Sequence, residues 1–140
     1  MEKTIQIDGK PVKFKTGASF ARIFKSQFGY DILTVIMPVI SETLQNIDSM
    51  LEDMNNIKPS DVGNALEGVY SLELIDIQNM IWSMAKLADK DIPEPILWEE
   101  QFDEFPVFDI MKELLEILIP SLVTKKKYLM IKNMTTPKQK

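Results

Sequence analysis

One Asp-Gly pair constrains this chain more than any other feature. Residues 3–15 read Lys-Thr-Ile-Gln-Ile-Asp-Gly-Lys-Pro-Val-Lys-Phe-Lys, two alternating runs joined at Asp8-Gly9. A type I′ turn needs positive φ at both central positions, and Asp-Gly supplies it, so the runs pair as a β-hairpin. Ile5 then faces Val12 and Ile7 faces Lys10, with Lys3, Ile5, Ile7, Val12 and Phe14 on one face. Pro11 has no N–H, which makes its strand an edge there. A lone hairpin is marginal in water, so the remaining chain must cover that face.

The remaining chain is helical in pattern. Ser19 is placed to cap a helix in which Phe20, Ile23, Phe24 and Phe28 recur on one side, and Gly29 suits its end. Asp31 is placed to cap a second, with a seam at Ile36, Ile40, Thr43, Ile47, Met50 and Met54 that alternates steps of four and three. Pro38 lies inside that seam and implies a kink or a late start. Residues 55–70, with Pro59, Gly63 and Gly68, read as a linker. From Ser71 a third helix carries Leu74, Ile77, Ile81, Met84 and Ala88 on one side. Pro93 and Pro95 precede a short helix over 95–103. Pro106 then suits the first turn of a last helix bearing Val107, Ile110, Met111, Leu114, Leu115 and Leu118. The expectation is a mainly α (α+β) domain over residues 1–123, its N-terminal hairpin (3–15) packed on a compact bundle of about five helices. Residues 124–140 are expected to form a basic, flexible tail.

Composition narrows the chemistry. A chain of 140 residues, 45% hydrophobic and 26% charged, fits one soluble domain with its own core. It has no cysteine and no histidine, which removes thiolate chemistry, cysteine-held zinc, the usual general base and the commonest metal ligand. The longest apolar run, Ile32–Ile40, is broken by Thr34 and Pro38 and falls far short of a membrane span. Met1-Glu-Lys-Thr leads directly into the hairpin without a signal-peptide core, so the expected compartment is the cytoplasm. Residues 29–123 hold 19 acids against four lysines, between ends that hold six cations each, for a net charge of −5. Such a body is a poor nucleic-acid binder, because phosphate binding needs clustered cations.

The segment from Trp98 to Asp109 is the candidate site. Trp98, Phe102, Phe105 and Phe108 are interleaved there with Glu99, Glu100, Asp103, Glu104 and Asp109, and Pro106 breaks the run. The acids have no histidine, Gly-rich loop or nucleophile motif beside them and no EF-hand spacing, so they read as a solvated helix face. The expectation is a protein without catalytic, metal or cofactor residues, and not an enzyme. The aromatics have two readings, core and partner surface. The same holds for the Phe20/Phe24/Phe28 stripe, and for Met80 and Met84 among the nine methionines, since methionine fills cores and also lines adaptable surfaces. The seam after Asp31 is either intramolecular packing or the zipper of a homo-oligomer. Trp98, Phe102, Phe105, Phe108, Met80 and Met84 are the expected protein-binding set.

Four stretches, taken in order, resemble a known family. They are the hairpin Ile5-Gln-Ile-Asp-Gly-Lys-Pro-Val-Lys-Phe-Lys, then Ala21-Arg-Ile-Phe-Lys-Ser-Gln-Phe-Gly-Tyr-Asp-Ile, then Ala85-Lys-Leu-Ala-Asp, then Ile96-Leu-Trp-Glu-Glu-Gln-Phe-Asp-Glu-Phe. Their order and spacing over residues 3–120 are similar to those of the tail assembly chaperones of long-tailed phages and prophages of Gram-positive bacteria. The chain departs from that pattern at Ile119-Pro120, where such proteins often carry a Trp, and residues 40–70 do not align. The resemblance implies a non-enzymatic protein of the bacterial cytoplasm, absent from the mature virion. It would bind the tape measure protein and keep it soluble until tube subunits polymerise around it. It also implies, for many members, a longer frameshifted form that recruits tail tube protein, and Lys125-Lys126-Lys127 marks where a slippery run would lie. Two other readings stay open: a small acidic DNA mimic that inhibits a host protein, and a tail structural protein such as a connector or terminator.

Overall fold

In the computed structural model, residues 1–36 and 72–122 are described. The expected Pro38 kink, the seam from Ile40 to Met54, the 55–70 linker and the basic tail lie outside them.

Strands β1 (Glu2–Ile7) and β2 (Lys10–Lys15) form a two-stranded antiparallel sheet, with Ile5 opposite Val12 and Ile7 opposite Lys10. Asp8 (φ 54°) and Gly9 (φ 74°) both lie in the left-handed region, the type I′ requirement. Met1 and Thr16 exchange two further backbone bonds, at 2.9 and 3.3 Å, which fixes the ladder's phase. Odd residues of β1 and even residues of β2 bond to each other, so Pro11 points outward, where its missing N–H costs no ladder bond. Ile5, Ile7 and Phe14 are buried and Val12 is half-buried. Lys3 shares their face but runs its stem over the last helix, bonding the Glu113 carbonyl at 3.3 Å and pairing with Glu116.

Helix α1 (Phe20–Phe28) follows. Ser19 occupies its N-cap position, but the hydroxyl makes no capping bond because the residue itself has right-handed helical angles, which aim its side chain away from the free N–H groups. Gly29 (φ 83°) closes the helix, its N–H donating to the Lys25 carbonyl. The phenylalanine stripe belongs to the core: Phe20 and Phe24 are buried, and half-buried Phe28 meets Trp82 edge-on at 5.6 Å. A second helix, α2, opens at residues 32–36. There Asp31 caps as expected, its carboxylate accepting the Leu33 N–H at 3.0 Å.

Helix α3 (Leu74–Ala88) is the centre of the molecule and packs against β2, α1 and the last helix. The sequence predicts one apolar side; the structure buries α3 nearly all round from Ile77 to Ala85, including Asn79, Trp82 and Ser83. An apolar helix wrapped on several sides keeps no solvent face. Its polar groups find partners instead. Tyr30 donates to Asp76 and accepts from Asn79 (3.1 Å), Ser83 donates to the Asn79 carbonyl (2.8 Å), and the Trp82 indole donates to the Pro93 carbonyl (3.0 Å). At its start, Leu74 is half exposed rather than in the seam.

Helix α4 (Pro95–Glu99) is shorter than the expected 95–103, ending in a turn at Glu100-Gln101. Pro95 stands at its first turn, where a missing N–H is harmless. Helix α5 (Val107–Leu122) accepts the Ile110 N–H on the Pro106 carbonyl, so Pro106 precedes the helix rather than opening its first turn. It buries Ile110, Met111, Leu114, Leu115, Ile117 and Leu118, and continues past Pro120. A proline this near the end removes a single backbone bond. The architecture is the expected α+β one, a hairpin on five helices among the described residues.

Candidate functional site

The chain from Asp89 to Phe105 forms a loop and short helix that leave α3 and return beside the hairpin. Five side-chain-to-backbone bonds from the neighbouring elements hold its backbone. From α3, the Trp82 indole reaches the Pro93 carbonyl, and the Lys86 ammonium reaches the Lys90 and Ile92 carbonyls at 2.7 and 2.8 Å. From the hairpin, the Lys10 ammonium reaches the Gln101 carbonyl at 2.7 Å, and the Asp8 carboxylate accepts the Asp103 N–H at 3.0 Å. Lys86 also lies 5.9 Å from the Trp82 ring centre and Lys10 lies 5.6 Å from that of Phe102, cation–π range in both cases.

Between those two attachments lies a groove of about 610 Å³. Its floor is Val12, Ala85, Ala88, Ile92, Trp98 and Phe102; Lys10 and Lys13 stand on the β2 side, Asp89 and Asp91 on the other. The volume is that of a binding cleft, and the lining is mixed, apolar side chains flanked by two lysines, two aspartates and Gln101. Trp98, Phe102 and Phe105 form a closed triad, with ring centres 5.3, 5.7 and 5.6 Å apart and both contacts to Trp98 nearly perpendicular. Trp98 is buried, while Phe102 and Phe105 are half-buried, so the triad joins core to groove.

The five-residue α4 cannot turn three consecutive apolar residues inward. Trp98 goes in, and Ile96 (70% exposed) and Leu97 (55% exposed) go out, leaving an exposed apolar pair on the other faces of α4. Glu99 sits on the same helix, where burial pushes its carboxyl above the ordinary value.

Of the six expected protein-binding residues, the structure brings Trp98, Phe102 and Phe105 together. Phe108 is 40% exposed on the first turn of α5 and is not among the groove residues. Met80 and Met84 are fully buried. They fill the centre of α3, and no partner touches them unless the core opens. Ile96 and Leu97 are not in the expected set, although their place beside Trp98 in so short a helix is a local signal of exposure. Lys10, Lys13 and Val12 had no such signal, since the hairpin meets the aromatic segment across about 90 residues. No family model, no curated protein and no solved structure matches this chain. Among the described residues, no helix is long and apolar enough to cross a membrane, and no group of three or more acids is placed to hold a metal ion.

Proposed function

We propose that this protein is a non-enzymatic phage tail assembly chaperone that binds the tape measure protein and keeps it soluble while the tail tube assembles. The observation that supports a chaperone is the exposed apolar pair Ile96-Leu97 on α4, the short helix whose Trp98 lines the groove, on an acidic body. Apolar surface of this kind takes the apolar face of a client segment, and surrounding like charge keeps the complex dispersed. The assignment to tail assembly rests on the order and spacing of the four stretches across residues 3–120. On this reading the protein works in the cytoplasm of the bacterial host, and a longer form, where one is made, recruits tube protein.

Co-expression with a tape measure fragment tests the proposal. The chain should co-purify with the fragment and hold it in the soluble fraction. The variant Ile96→Asp/Leu97→Asp should fold normally, because both side chains are exposed, and should lose at least about tenfold in recovered fragment. Equal recovery with the variant would move the contact elsewhere. No complex with any tape measure segment, together with competition against DNA for a host enzyme, would favour the acidic-inhibitor reading instead.

A further inference from the structure

We propose that the tip of the β-hairpin is a latch on the groove: Asp8 and Lys10 hold the Phe102 segment closed, and their release opens it. The inference rests on reading the groove as the client site. It follows from how unequally the two sides of the Asp89–Phe105 segment are fixed.

On the α3 side, the Trp82 indole bond and one Lys86 bond are partly buried, and the Trp98 side chain is anchored in the core. On the hairpin side, the Lys10–Gln101 and Asp8–Asp103 bonds are both solvent-exposed. Exposed charge-assisted bonds compete with water and are screened by salt, so they break far more often than buried ones. The latched stretch, Gln101–Asp103, follows the end of α4, and its own backbone contributes only the short bonds Gln101 N–H to Trp98 (3.2 Å) and Phe102 N–H to Glu99 (3.1 Å). Phe102 lines the groove, stacks under Lys10 and packs on Trp98 and Phe105, so losing the hairpin bonds leaves this half-buried wall held by its apolar contacts alone. Pro93 stays pinned to Trp82, which makes the movement a hinge rather than detachment. Segments held by few and exposed bonds open locally at low free energy.

The double variant Asp8→Gly/Lys10→Met tests the latch. Glycine keeps the positive φ of the turn, and methionine keeps an apolar stem over Phe102. Amide-resolved hydrogen exchange should rise about tenfold at Gln101 and Phe102, whose own acceptors are untouched, with no change at residues 77–85 of α3. Binding of the dye 1-anilinonaphthalene-8-sulfonate should rise several-fold. Lys13→Met, which lines the groove but makes neither latch bond, should behave as wild type. Asp8→Asn, which keeps an acceptor and tolerates the turn, should stay within about twofold of wild type. Unchanged exchange at Gln101 and Phe102 in the folded double variant would overturn the latch. So would an equal rise at residues 77–85, which would mean general loosening. A wild-type protein that binds no tape measure fragment would sink the client reading while leaving these exchange results intact.

Discussion

Tyr30 shows how much one side chain carries. Its hydroxyl donates to Asp76 and accepts from Asn79, joining the turn after α1 to the central helix, and its ring meets Phe24 edge-on at 5.0 Å. Tyr30→Phe keeps the ring and strands a buried Asn79 amide, so urea unfolding should show a loss of about 1–3 kcal/mol. The pH dependence has a sign. Burial first, and then the Asp76 bond, raise the Tyr30 pKa above 10.0. The phenol's contribution is therefore complete below pH 10.0 and is lost as pH climbs through the raised value. Tyr30→Phe should flatten that alkaline loss. None of this was legible in the sequence, where Tyr30 is one polar aromatic beside a glycine, because its partners sit 46 and 49 residues away.

Elements were legible wherever the signal was local. The hairpin register follows from Asp8-Gly9 alone, and the Asp31 cap and the Gly29 stop follow from side-chain type at a helix end. Gly29→Ala should cost about 1 kcal/mol in thermal or urea denaturation, since alanine must adopt the left-handed conformation that closes α1. The readings that changed were those that depended on surroundings. Ser19 has the right identity for a cap and the wrong backbone for one. Helix α3 shows periodicity on one side, yet neighbours bury the others, something a pattern within a single segment cannot report. In the candidate site, the aromatic triad was visible as a cluster in sequence. The groove was not, because one of its walls, Lys10 to Lys13, comes from the hairpin.

For the whole molecule, the distribution of charge and apolar surface matters more than any one contact. The body is acidic, and Ile96 and Leu97 on α4 give it a local exposed apolar surface. If the proposed role in tail assembly holds, purified particles from an induced lysogen should lack this chain by mass spectrometry while the producing cells contain it. Its presence in particles at a fixed copy number would point instead to a connector or terminator.

The outward-facing side of β2 bears on behaviour at high concentration. A third strand, from a client or from another copy, would have to pair there with Pro11, Lys13 and Lys15. Pro11 offers no N–H, and two lysines brought against their counterparts in another copy repel. On this edge the sheet therefore resists growing by strand addition. If the proposed role holds, a protein that sits beside aggregation-prone apolar segments without polymerising itself is well served by so short and so poorly templating an edge.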